Sequence, residues 1–184
     1  MWATRAWWLA HYAGLNNIAV LDGGLSRWRA EGGKTTTRSS AYPAGNVTIN
    51  PNPELIVNAG TVASAMENSK TCTINALSPE VYEGTGDVHY GRRGHIPGSL
   101  NLFYDELLLE DGSYKPPSLI NTLLKERGLH KADQVIAYCG GGIAATVDAF
   151  ACVLAGYANV AVYDGSMAEW ARDEARPLVI GAAP

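Results

Sequence analysis

Short apolar runs rich in β-branched residues alternate along the chain with longer stretches in which apolar residues recur at helical spacing. Thr71 to Ala76, Ser99 to Leu102, Gln134 to Tyr138 and Val160 to Tyr163 read as strands. The nearly unbroken hydrophobicity of the last two predicts burial on both faces. Between the runs the pattern predicts helices over Thr61 to Glu67, from Pro79 onward, and over Ser118 to Arg127. Alternating strands and helices give an α/β fold, with a mainly parallel sheet flanked by helices on both faces.

The sequence also matches itself. Met1 to Glu31 overlays Ile143 to Asp173 without a gap at a constant offset of 142, with ten identities in 31 positions, among them Ala3/Ala145, Thr4/Thr146, Gly14/Gly156, Asp22/Asp164, Gly23/Gly165 and Trp28/Trp170. Each copy reads as a helix ending at a glycine, a strand (Ile18 to Leu21, Val160 to Tyr163), then Asp-Gly and a second helix. Further strands precede the second copy, and nothing precedes the first. The expected organisation is a partial copy of a domain over residues 1–33, a linker over 34–53 rich in Thr, Ser, Asn, Gly and Pro, and a complete domain over 54–184. The first unit cannot bury both faces of one strand alone, so it needs the second unit or a partner chain. Either the sequence is a piece of a longer one, or a half-domain docks on a whole one.

Composition narrows the function classes. A chain of 184 residues, 47% hydrophobic, suffices for one well-buried domain and an additional piece. A net charge of −4 without a basic run argues against nucleic acid or an anionic membrane as partner. Arg5 and His11 interrupt the opening apolar stretch, which argues against a signal peptide, and no span approaches the ~20 apolar residues of a membrane helix. The three cysteines, 72, 139 and 152, are odd in number and widely spaced, which suits neither a disulfide framework nor a metal site. A reducing compartment, the cytoplasm, is the expected location.

Chemistry concentrates at Tyr138-Cys139-Gly140-Gly141-Gly142-Ile143-Ala144, a buried strand running into a glycine-rich turn and a helix. Ligands of open α/β sheets bind at the carboxyl ends of strands, where Cys139 sits. Three glycines permit a positive-φ curl whose N–H groups converge, and such a nest at a helix start favours a thiolate and an anion bonded to it. The Cys-x5-Arg loop of cysteine phosphatases has a similar layout, but here Ala145 takes the arginine's place. A P-loop fails as well, because no Gly-Lys-Ser/Thr follows the glycines. Cys152, among apolar neighbours on its helix, reads as packing.

Together Gly94-His95-Ile96-Pro97-Gly98-Ser99, the Tyr138-Cys139 loop, the Val160 to Gly165 strand with its Trp170 helix, and the copy of that tail at Ala19 to Trp28 resemble the tandem-domain rhodanese superfamily of thiosulfate and 3-mercaptopyruvate sulfurtransferases. The resemblance implies that Cys139 attacks a sulfane sulfur, carries it as a persulfide, and yields it to a thiophilic acceptor such as cyanide or a thiol, without metal or organic cofactor. It also implies that Arg92 and Arg93, just before the Gly-His-Ile-Pro-Gly turn, hold the donor's anionic group. The loop residues Gly140, Gly141, Gly142, Ile143 and Ala144 would bind the transferred sulfur. His95 reads as structural, Trp28 and Trp170 as core anchors, and Trp2, Trp7 and Trp8 as a packing surface. Three departures leave the donor open. The loop lacks the basic residues of thiosulfate-type loops, Gly141 and Ala144 replace the Ser and Thr of mercaptopyruvate-type loops, and Asn75-Ala76-Leu77 replaces an Asp-x-Arg pair. The competing reading is a rhodanese-like interaction or sulfur-carrier module of low turnover.

Overall fold

The computed structural model describes residues 1–129 and 134–184. Five strands, β1 (Ile56–Val57), β2 (Thr71–Asn75), β3 (Leu100–Asn101), β4 (Gln134–Tyr138) and β5 (Val160–Tyr163), form one sheet in the order β1-β5-β4-β2-β3. Every pairing is parallel, and the longest ladder joins β2 to β4 from Thr71–Gln134 to Asn75–Tyr138. Parallel strands need crossovers, and the helices that supply them cover both faces as expected.

Strand alternation divides the core into two layers. Val135 and Ala137 of β4, continued by Cys139, face a cluster that includes Trp8, Ile120, Leu124 and Cys152, from helices α1 (Trp2–Tyr12), α5 (Pro117–Glu126) and α6 (Ala145–Leu154). Ile136 and Tyr138 face the opposite layer, where Ala59 and Val62 of α3 (Ala59–Ala65) meet Met167 and Trp170 of α7 (Ser166–Trp170). Two further short helices complete the set, α2 (Gly24–Ala30) and α4 (Pro79–Glu83). Asn58 caps α3, its Oδ1 accepting from Thr61 N at 3.0 Å.

The N-terminal segment packs on this domain through α1. Trp8 is 1% exposed and donates through Nε1 to the Leu55 carbonyl at 2.8 Å, while Trp7 sets its ring edge-on to Phe150, 4.8 Å between centroids. Thr4 and Thr146, matched in the self-alignment, bring their hydroxyls within 2.9 Å in a buried contact. Gly14 and Gly156 end α1 and α6 with the same φ of 86°, which lets the next amides, Leu15 and Tyr157, reach back to the carbonyls of Ala10 and Cys152. Residues 34–52 carry no helix or strand, and their last amides, Asn50 and Asn52, bond the carbonyls of Ala13 and Tyr12.

Some expectations give way. Ile18 to Leu21 forms no strand: no strand pairs with it among the described residues. Trp28 is no core anchor: it is 42% exposed, and its Nε1 donates to the Lys34 carbonyl. Trp170, its counterpart, is fully buried, with Nε1 on the Pro177 carbonyl and the Arg176 guanidinium 4.7 Å over its ring. The first ring lacks a sheet above it; the second has one. Of the Trp2, Trp7 and Trp8 packing surface, Trp2 lies open to solvent.

Replacing Trp8 by alanine removes the largest buried side chain that α1 contributes and one hydrogen bond. A loss of about 3–5 kcal/mol in urea denaturation is expected, with the whole chain unfolding in one transition at lower denaturant. An unchanged midpoint would mean that α1 is not integral to the fold.

Candidate active site

β4 lies in the middle of the sheet, so the loop leaving its carboxyl end at Cys139 opens between the ends of β2 and β5. Two anchors fix the start of this loop. On one side the fully buried Tyr138 phenol accepts from Ile96 N at 3.1 Å and meets Ser99 Oγ at 2.7 Å, tying the Gly94 to Ser99 turn to the residue before the cysteine. On the other side Cys139 N donates to Ser166 Oγ at 3.1 Å, and the carbonyls of Cys139 and Gly140 accept from Met167 N and Ala168 N at 3.0 and 2.8 Å. Ser166 takes a φ of 49°, uncommon for a residue with a side chain, and its hydroxyl also donates to the Tyr163 carbonyl.

The rest of the loop follows the same polarity. Gly142 O accepts from Arg5 Nη1 at 3.2 Å, Ile143 O from both Thr146 N and Thr146 Oγ1, and Ala144 O from Val147 N. Among the described residues, the amides of Gly140, Gly141, Gly142, Ile143 and Ala144 have no acceptor. The loop therefore has nearly all of its carbonyls engaged and a run of five amides free, and Cys139 beside them is 3% exposed. The loop leads directly into the amino end of a ten-residue helix, α6, where free amides and the helix dipole favour negative charge.

Each outer glycine has its own reason. Gly142 alone of the three has a positive φ, 75°, and a Cβ there would lie 2.6 Å from the Asp164 carbonyl. At Gly140 a Cβ would run into the tip of the Tyr90 ring, and at Gly141 it would meet nothing within 4 Å. The expected positive-φ curl of the glycine run thus rests on a single left-handed residue, the last of the three.

The two arginines expected at the donor are bonded to main-chain carbonyls. Arg92 directs Nε and Nη2 to the carbonyls of Ala171, Asp173 and Arg176 at 2.8 to 3.0 Å, holding the chain just after α7. Arg93 donates to the carbonyls of Gly84 and Gly86. Arg5, which the sequence did not single out, reaches the loop instead and pairs with Asp164 at 2.5 Å. His95 is structural as read, fully buried, stacked on Tyr82 at 3.6 Å and held between the carbonyls of Tyr82 and Ala183. Cys152 is packing, its thiol pushed up by burial.

One buried acid escaped the sequence reading. Asp148 of α6 is completely buried, and neither carboxylate oxygen has a partner among the described residues. Burial first, then the charges of Cys139 and Glu106, hold its carboxyl well above the usual carboxylate range. A carboxyl whose ionisation is disfavoured by burial therefore stands in the field of the cysteine. No group of His, Cys, Asp and Glu that could hold a metal occurs among the described residues.

Because the folded chain holds the Asp148 proton more tightly than the unfolded one, stability is unaffected below the ordinary carboxylate pKa of about 4 and falls as pH rises above it. Asp148→Asn should abolish this slope. Urea unfolding free energies taken from pH 4 to 8 are expected to fall for the wild type relative to the variant as pH rises, and parallel profiles would refute the assignment. Separately, Arg92→Ala should cost about 1–3 kcal/mol through its stranded carbonyls, and Arg93→Ala less than about 0.5 kcal/mol, by the same measurement.

Comparison with known proteins accords with this geometry. The family model of the rhodanese-like domain matches residues 60–173. SseB of Mycobacterium tuberculosis, which carries a thiosulfate sulfurtransferase name, is 32% identical over 182 residues, covering 98% of this chain and 64% of its own length. The 3-mercaptopyruvate sulfurtransferase of Escherichia coli is 31% identical over 91% of this chain and 60% of its own. The chain thus spans less than two thirds of the length of these relatives. The anaerobic ergothioneine biosynthesis enzyme from Chlorobium limicola, solved with trimethyl histidine, superposes with a TM-score of 0.88 at 22% identity, covering 97% of this chain and 45% of that one. By its matched domain and its α/β architecture, the chain belongs to the rhodanese family.

Proposed function

We propose that this chain is a sulfurtransferase in which Cys139 takes a sulfane sulfur from a small anionic donor, thiosulfate or 3-mercaptopyruvate, and passes it as a persulfide to a thiophilic acceptor such as cyanide or a thiol. The observation that carries this reading is the run of five acceptor-free amides, Gly140 to Ala144, beside a nearly buried cysteine. A persulfide is a more extended anion than a thiolate, and fixed dipoles lining its berth stabilise it without reorganising. The names of the relatives support the chemistry, and the unaligned donors of Arg92 and Arg93 leave the loop as the principal anion holder.

The same reading takes residues 1–33 as the closing part of a preceding domain of like fold, 34–53 as a linker and 54–184 as the catalytic unit. The equal φ of Gly14 and Gly156 supports it, and so does the Thr4–Thr146 contact between matched positions, the kind of contact that two copies related by a two-fold axis make. A preceding segment or a second chain is then the natural cover for the exposed Trp2, Leu21 and Trp28.

Incubation with thiosulfate or 3-mercaptopyruvate followed by intact mass measurement should reveal one added sulfur, absent in Cys139→Ser. Cyanide should then release thiocyanate with turnover. A single stoichiometric release would favour a sulfur carrier, and no gain of sulfur would refute the proposal.

A further inference from the structure

Tyr90 packs against the loop after Cys139, and among the described residues its polar end is uncommitted. Its ring tip lies over Gly140, so close that a methyl group there would collide with Cζ and Oη. Its phenol oxygen has no hydrogen-bond partner among the described residues, whereas the phenols of Tyr82, Tyr114 and Tyr138 are all engaged. No side-chain cation is recorded against the Cys139 sulfur: Arg92 and Arg93 bond main-chain carbonyls, and Arg5 bonds Gly142 O and pairs with Asp164. The loop amides and this O–H are the uncommitted donors beside Cys139.

We infer that Tyr90 is a catalytic residue that donates a hydrogen bond to the outer sulfur of the Cys139 persulfide. The inference rests on the sulfurtransferase reading above and adds a side chain to it. With thiosulfate, the Cys139 thiolate attacks the sulfane sulfur, a new S–S bond forms, and the old one breaks with its electron pair leaving on sulfite. The transferred sulfur keeps its negative charge, now as the terminal atom of the persulfide, and no oxidant, reductant or proton is required. The phenol stays protonated through this step, because burial and then the Cys139 charge push it upward. It acts as a donor of fixed position, not as an acid that gives up its proton. Gly140 owes its identity to this ring: any larger residue would displace the donor from the sulfur.

Tyr90→Phe removes only the oxygen and leaves the ring over Gly140. Its rate of sulfur loading from thiosulfate, followed by intact mass, is expected to fall about tenfold or more, with the persulfide still reaching full occupancy at long times. The contact itself is read from a double-mutant cycle on stability. Gly140→Ala should destabilise the wild-type background strongly and the Tyr90→Ala background much less. Loading of Tyr90→Phe at the wild-type rate, or equal effects of Gly140→Ala in both backgrounds, would overturn the inference and leave the sulfurtransferase reading intact. A wild-type chain that gains no sulfur from thiosulfate, 3-mercaptopyruvate or inorganic polysulfide would overturn both.

Discussion

The polarity of one loop governs the rest of the molecule. After β4 the backbone turns its carbonyls outward into bonds with Met167 N, Ala168 N, Arg5 and the first turn of α6, and leaves five successive amides without acceptors. Backbone donors left without acceptors persist where other contacts over-determine the loop. Ser166, which accepts from Cys139 N, and Tyr138 on the Gly94 to Ser99 turn supply bonds of this kind, and Asp164 packs so close to Gly142 that no side chain fits there. Each lies on a different element, so the geometry at Cys139 is a property of the whole sheet end.

Charge at this site is handled by dipoles. The loop carries no cation, and the guanidinium groups nearby are satisfied by carbonyls or by Asp164. A second negative charge close to Cys139 would oppose negative charge on its sulfur, and the burial of Asp148 works against that charge by raising its carboxyl well above the usual carboxylate range. In the proposed reaction, amides and an O–H would hold a diffuse sulfur anion with less desolvation than a buried ion pair would demand.

What the sequence disclosed follows from how local each feature is. β4, β5 and α6 were readable because an unbroken apolar strand, a glycine run and a helix succeed one another within about twenty residues, and the strands match their expected limits. The segment Ile18 to Leu21 has strand composition but lacks a neighbour, and pairing is not written in composition. Arg92 illustrates the same gap at the site: an arginine before a turn looks alike whether it meets a ligand or the carbonyls after α7. Tyr90, Ser166, Arg5 and Asp148 were invisible for a related reason. Ser166, Arg5 and Tyr90 reach the loop from distant parts of the chain, and Asp148 gave a signal of its own, a lone acid on the apolar face of α6.

α6 links the first segment to the chemistry. Its amino end holds the loop, its Thr146 contacts Thr4, and Arg5 on the next position of α1 supports Gly142. α1 is anchored by Trp7 and Trp8 in the same core layer that receives Ala137 and Cys139. The N-terminal segment is therefore a wall of the active site as well as a piece of packing, because Arg5 is what engages the Gly142 carbonyl at the loop's left-handed residue. Without α1 that carbonyl would compete for solvent or for neighbouring amides, and the separation of carbonyls from amides that suits the loop to an anion would weaken. Stability of the first segment and electrostatics of the second are in this sense one constraint.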